Sequence, residues 1–224
     1  MVNEKYHGLG TAPSVIRELF AYGLQQAKVV GKENVYDYSL GNPSIPAPAK
    51  VNETIKKLVD TEDSIQLHGY SMAPGFENVR QAIADNLNER FGVNAKANEL
   101  FMTCGCAPAL VSVAHALTTS PEDEFVAIAP FFPEYNVFFT CAGAKLTVVP
   151  ADTVHFQIDM DALEKTINEH SVAVVINSPN NPSGVVYTEG TLKAIAELLD
   201  RKSKEYGHPI YIIADEPYRE LVYD

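Results

Sequence analysis

Cysteine is scarce in this chain. Only Cys104, Cys106 and Cys141 occur in 224 residues, and no two of them form a Cys-x-x-Cys pair. A disulfide framework is therefore not expected, and a reducing compartment fits better. The six histidines show no His-x-x-x-His spacing, so no metal site is expected. Positive charge is also in deficit: 17 Lys and Arg stand against 29 Asp and Glu, a formal net charge of −12. That balance argues against a nucleic-acid partner, which would meet a basic face. No apolar run approaches the roughly 20 residues of a membrane helix. The N-terminus, MVNEKYHGLG, lacks the basic-then-apolar form of a signal peptide. No membrane partner is expected, and the location read from these absences is cytoplasmic. Internal repeats and low-complexity tracts are missing too.

What is present is enough apolar material, 46% of residues, for a sizeable core. The length suits one large domain, or one domain with an appendage. Ser14 can cap a helix in which Ile16, Leu19, Phe20, Leu24 and Ala27 recur at helical spacing, with Gly31 and Asn34 closing it. The stretch VYDYSLGNPSIPAPAK, residues 35–50, reads as an extended linker, because Pro43, Pro46 and Pro48 forbid a helix. Phe76, Val79, Ile83 and Leu87 mark a second helix after the Pro74-Gly75 turn. The acidic group Glu53, Asp60, Glu62 and Asp63 reads as a solvated face.

Beyond that point short apolar runs alternate with helical patterns. The runs are LFMT (100–103), FVAIA (125–129), LTVV (146–149), VAVVI (172–176) and IYIIA (210–214). Helical patterns fall near 107–117, 134–141, 160–168 and 189–202. Runs apolar on nearly every residue suggest strands covered on both faces. The alternation predicts an α/β fold: a mainly parallel sheet flanked by helices, with an N-terminal helical arm.

Open parallel sheets bind ligands beyond the C-terminal ends of their strands, so the residues after each run carry the functional reading. Cys104, Gly105, Cys106 and Ala107 enter a helix after LFMT. Small residues there leave N–H groups open at the positive end of a helix dipole, where a phosphate can sit. Taken alone, these residues are better explained by a plain strand-to-helix turn. The spacing is neither a dinucleotide Gly-x-Gly-x-x-Gly nor a nucleotide P-loop. Phe131 and Phe132 follow FVAIA and can stack on a flat ring, or simply pack in the core. INSPNNPSG follows VAVVI, and an asparagine amide there can donate to a ligand oxygen or satisfy its own turn. Asp215 ends IYIIA. A carboxylate at the end of a buried strand needs a cation or several hydrogen bonds, unless it merely caps a helix. Together these ends offer a phosphate nest, an aromatic plate, a hydrogen-bond donor and a buried carboxylate, which suits a phosphorylated, nitrogen-containing ring such as pyridoxal phosphate.

The segments NSPNNPSG and ADEPYREL, in this order and separation, resemble the signatures of the fold-type I pyridoxal-phosphate-dependent aminotransferases of the class I/II, aspartate aminotransferase-like group. The resemblance runs from the Gly41-Asn42-Pro43 turn to Asp215 and Tyr218. It implies the cofactor pyridoxal 5'-phosphate, with Asp215 pairing with the ring nitrogen and keeping it protonated. It implies that Asn181 and Tyr218 bond the ring's phenolic oxygen, that Phe132 stacks on the ring, and that the backbone of Gly105, Cys106 and Ala107 holds part of the phosphate. Asn177 and Asn180 are left to satisfy turn backbone. Gly41, with Asn181, would lie near the substrate carboxylate. Tyr70 resembles the tyrosine that reaches the phosphate of the neighbouring subunit, which would require a homodimer. The implied domains are an arm and linker at 1–45, part of a small domain, and a cofactor-binding large domain at 46–224, incomplete on its C-terminal side.

The implied reaction is transfer of an amino group between an L-amino acid, with aspartate a candidate, and a 2-oxo acid. The family's Schiff-base lysine and substrate-gripping arginine map beyond Asp224, so the chain is expected to be the N-terminal part of a longer enzyme. These residues alone are expected to be poorly stable and inactive. Two alternatives stay open: a carbon–sulfur β-lyase on the same fold, and a non-catalytic pyridoxal-phosphate-binding regulatory domain. A nicotinamide-dependent dehydrogenase ranks last, for want of the glycine fingerprint.

Overall fold

The computed structural model describes residues 2–41 and 45–223, so Asn42 and Pro43 of the proline turn lie outside the described residues. The chain divides into two compact units between Tyr70 and Ser71. The domain boundary expected at 45/46 falls inside the first of them.

The first unit holds α1 (Glu4–Thr11), α2 (Val15–Val30), α3 (Ala49–Thr61) and α4 (Ser64–His68). Its helix starts are set locally. The side chains of Asn3, Ser14 and Asp63 accept from N–H groups of the first turns of α1, α2 and α4, satisfying donors that a helix leaves open. Gly31, at φ 89°, ends α2 in a conformation few other residues adopt. None of these four helices buries a residue. The linker expected over 35–50 overran the start of α3 at Ala49, a helix the sequence reading did not foresee. Its acidic neighbours Glu53, Asp60, Glu62 and Asp63 are exposed.

The second unit opens with α5 (Glu77–Phe91) and α6 (Cys106–Leu117). It continues through β1 (Glu124–Ile128), α7 (Glu134–Cys141), β2 (Lys145–Val149), α8 (Met160–Thr166), β3 (Ser171–Asn177), α9 (Glu189–Tyr206) and β4 (Tyr211–Asp215). The four strands pair in the order β2-β1-β3-β4, all parallel. This is the expected α/β architecture.

The two central strands have successive side chains pointing to opposite faces. Phe125, Ala127, Ala173 and Val175 meet Leu110 and Ala114 of α6 and Tyr135 and Phe139 of α7. Val126, Ile128, Val174 and Ile176 meet Leu163 of α8 and Ile195, Leu198 and Leu199 of α9. Both faces of β1 and β3 are therefore covered, and this is why every residue in those runs is apolar. The stacked Phe125 and Phe139 rings, 4.2 Å apart, centre one of the two cores.

The outer strands differ from expectation. In β4, Tyr211, Ile212 and Ala214 are exposed, as is Val148 in β2, because each has one neighbouring strand among the described residues. The LFMT run is not a strand. Residues 100–103 form no strand and have no ladder partner among the described residues, and Phe101 is 64% exposed. Apolar composition marks a segment that can pair, but a strand needs a partner for its backbone.

Candidate active site

Three strand ends and one helix start converge on a cavity of about 220 Å³ in the second unit. Cys106, Ala107, Phe132, Asn181, Asp215 and Tyr218 line it, together with Asn177. Leu110, Phe138 and Pro217 supply apolar wall. Gly105 is the residue before α6, at φ 99°, a conformation that favours glycine. The Thr103 hydroxyl donates to its carbonyl at 2.8 Å. No side chain caps α6, so the first-turn N–H groups behind Cys106 and Ala107 lack a side-chain acceptor. Gly41 and Tyr70 belong to the first unit, where both are exposed, and neither lines this cavity.

The INSPNNPSG stretch is organised by its asparagines. Asn177, 4% exposed, uses both ends of its amide. Its Nδ2 donates to the Asp215 carbonyl at 2.9 Å, and its Oδ1 accepts from the Asn181 backbone N–H at 2.6 Å. Asn180 accepts from the backbone N–H and the hydroxyl of Ser183 at 3.1 and 2.7 Å, closing the turn. The Ser178–Pro179 and Asn181–Pro182 bonds are both cis. With its backbone held, Asn181 turns its amide to the cavity and donates to the Tyr218 hydroxyl at 3.3 Å. The expectation that Asn177 and Asn180 serve turn backbone matches these bonds. Asn177 does more, since it ties the end of β3 to the end of β4.

Asp215 does not cap a helix, because no helix follows it and residues 217–220 form a turn. Its side chain is buried at the register position opposite Asn177. It forms no ion pair among the described residues. Instead the Tyr135 hydroxyl donates to Oδ2 at 2.5 Å, while Oδ1 has no hydrogen-bond donor among the described residues. Tyr135, 1% exposed, stands in the first turn of α7 against Phe132, edge-on at 5.7 Å. Burial, and then the hydrogen bond to Asp215, push its phenol far above the ordinary tyrosine range, so it remains a donor. The sequence reading passed over Tyr135.

The turn that carries Tyr218 is held from α5. Arg90 donates to both carboxylate oxygens of Glu220 at 2.9 Å. The guanidinium groups of Arg90 and Arg219 both lie over the Phe91 ring, at 4.9 and 5.0 Å. These residues lie outside the cavity and restrain the segment that follows β4.

The donor set fits a flat cationic heterocycle with an anionic substituent. A buried carboxylate presents one open oxygen, an amide and a phenol stand beside it, an aromatic ring forms part of the wall, and a helix start lies open. The arrangement can hold a proton on a ring nitrogen, bond a ring oxygen and accept a phosphate. No group of three or more His, Cys, Asp or Glu side chains among the described residues could hold a metal ion. Among the described residues, no helix is long and apolar enough to cross a membrane.

Comparison with known proteins agrees with this geometry. The family model "Aminotransferase class I and II" matches residues 32–224. A probable N-acetyl-LL-diaminopimelate aminotransferase of Bacillus subtilis is 28% identical over 211 residues, 93% of this chain and 51% of that protein. A probable aspartate/prephenate aminotransferase of Thermus aquaticus is 29% identical over 82% of this chain and 45% of its own length. Among solved structures, an amino transferase from Eubacterium rectale superposes with a TM-score of 0.97 at 59% identity, covering all of this chain and 56% of that one. The chain thus spans about half the length of the curated relatives it matches. The family depends on pyridoxal 5'-phosphate. By its fold, its paired signature segments and these matches, the chain belongs to the class I and II aminotransferases.

Proposed function

We propose that the protein containing this chain transfers an amino group between an L-amino acid and a 2-oxo acid, and that the cavity described above holds its pyridoxal 5'-phosphate. The observation that carries the reading is buried Asp215, which lines the cavity together with Asn181 and Tyr218 and accepts a side-chain hydrogen bond on Oδ2 alone among the described residues. When bound, the cofactor supplies an electron sink for charge formed at the substrate's α-carbon. The chain's own residues do the rest of the work assigned here. Asp215 holds a proton at the ring nitrogen. Asn181 and Tyr218, already bonded to each other, bond the ring's phenolic oxygen. Phe132 packs on the ring. The N–H groups of Gly105, Cys106 and Ala107 receive the phosphate at the positive end of α6. Leu110 and Phe138 exclude water from the ring's apolar edge.

The same reading keeps Gly41, with Asn181, near the substrate carboxylate. It keeps Tyr70 as a contribution to the site of a second subunit in a homodimer. It also keeps the domain division at 45/46, with the arm assigned to a smaller domain, and a cytoplasmic location. Relatives are named for aspartate, prephenate, arginine and aromatic substrates, so the amino donor is stated as a class, with aspartate the first to test.

The experiment is 2-oxo acid formation by the full-length protein, loaded with pyridoxal 5'-phosphate and given a panel of L-amino acids with 2-oxoglutarate or pyruvate as acceptor. Turnover with at least one donor is expected, together with a loss of 100-fold or more in Asp215→Ala, about 3 kcal/mol of transition-state stabilisation. Cofactor-loaded wild-type protein that turns over none of the donors would overturn the reading. Pyruvate and ammonia formed from cystathionine without an acceptor would replace it with a lyase.

A further inference from the structure

We propose that Tyr135 is the positioning residue of this site: by donating to Oδ2 it fixes the Asp215 carboxylate and leaves Oδ1 as the acceptor for a protonated ring nitrogen bound in the cavity. The inference rests on the cofactor site proposed above and deepens it.

Three observations carry it. The Tyr135 hydroxyl is the one side-chain donor to the Asp215 carboxylate among the described residues, at 2.5 Å, and it takes Oδ2 and leaves Oδ1. The phenol cannot wander. Its ring is 1% exposed and packed against Phe131 at 6.3 Å, Phe132 at 5.7 Å and Phe139 at 6.1 Å. The carboxylate's backbone is held independently by the Asn177 amide, so the tyrosine's task is the side chain alone.

The chemistry follows from proton affinity. A proton between a pyridine-type nitrogen and a carboxylate rests on whichever is the stronger base. A hydrogen bond donated to one carboxylate oxygen stabilises the ionised form and weakens it as a base. With Tyr135 in place the proton stays on the ring nitrogen. Without it, the carboxylate is free to turn, Oδ1 is no longer held as a fixed acceptor, and the ring nitrogen gives up its proton to solvent more readily. Tyr135 touches Asp215 and is not assigned any contact with substrate.

The test uses pyridoxamine 5'-phosphate labelled with ¹⁵N in its ring, a probe that needs no lysine, added to the full-length protein. Calorimetry reads its dissociation constant, and the ¹⁵N chemical shift reads whether the ring nitrogen is protonated. Wild-type protein is expected to bind with a protonated ring. Tyr135→Phe keeps the aromatic packing, and is expected to move the ¹⁵N signal toward the unprotonated value and weaken binding roughly 10-fold or more. A tyrosine that served only packing would leave the signal unmoved. Incorporation of 3-fluorotyrosine at 135, a stronger donor, is expected to keep the ring protonated and binding at least as tight. Tyr135→Phe with unchanged shift and affinity overturns the tyrosine's role and leaves the site reading standing. Wild-type protein that does not bind the probe overturns both.

Discussion

The two units of this chain make helices in different ways. In the first, α2 has a cap, a regular apolar stripe and a glycine stop, yet Ile16, Leu19 and Leu24 along that stripe are 47%, 53% and 54% exposed. In the second, α7 is half as long and has no side-chain cap, yet it buries Tyr135 and Phe139 completely. Capping and periodicity settle that a segment is helical and where it starts. They do not settle what covers its apolar face. In the second unit a sheet covers it, and the side chains thereby fixed include the donor to Asp215. The functional geometry sits where tertiary packing, and not local preference, holds the helix.

That contrast can be broken at several points. The largest effect is expected from Phe139→Ala, which empties a site packed between α7 and β1 and should cost about 3–5 kcal/mol in denaturant unfolding. Leu19→Ala on α2 should stay within about 0.5 kcal/mol in the same chain; comparable losses would erase the difference between the units. Asn177→Leu leaves the Asp215 carbonyl and the Asn181 N–H without their partner and should cost about 2–3 kcal/mol. Hydrogen exchange at the Asn181 amide should quicken in that variant, and unchanged protection there would remove Asn177 as the tie between β3 and β4.

Tyr135 gives a prediction in pH. Its folded-state pKa is raised above the unfolded value, so the unfolded chain releases that proton first. Stability from this group is fully present below about pH 10 and falls as pH rises further, by up to about 1.4 kcal/mol per unit. Urea midpoints measured from pH 9 to 11 should therefore decline less steeply in Tyr135→Phe than in wild type. Equal slopes would mean the phenol is not sequestered. A smaller effect is expected from Ser14→Ala, about 1 kcal/mol confined to α2, visible as helix content by circular dichroism with the second unit unaffected.

Much of the second unit could be read from its sequence, for a physical reason that also limits the reading. Strands covered on both faces must be apolar throughout, so FVAIA and VAVVI announce themselves. The same composition in LFMT and IYIIA says nothing about how many neighbours a strand has, and there the expectation of full burial failed: residues 100–103 have no ladder partner among the described residues and β4 is exposed along most of its length. At the site, Asp215, Asn181 and Tyr218 were recognisable because they follow strands and sit in a distinctive order. The bond between Asn181 and Tyr218 spans 37 residues, and that between Tyr135 and Asp215 spans 80. No local pattern encodes a partner at that distance.

By itself, then, the sequence determined the kind of layers this chain builds, the helix start marked by Ser14, and the placing of polar residues at the ends of apolar runs. These depend on backbone preference and on side-chain alternation, which act within a few residues. Only the tertiary structure decided that Asn177 ties two strand ends, that α6 begins uncapped beside Asp215, and that Tyr135 occupies one carboxylate oxygen and leaves the other open. Those facts depend on which surfaces meet when strands distant in the chain pair side by side, and hydrogen-bond geometry is set only once they have met.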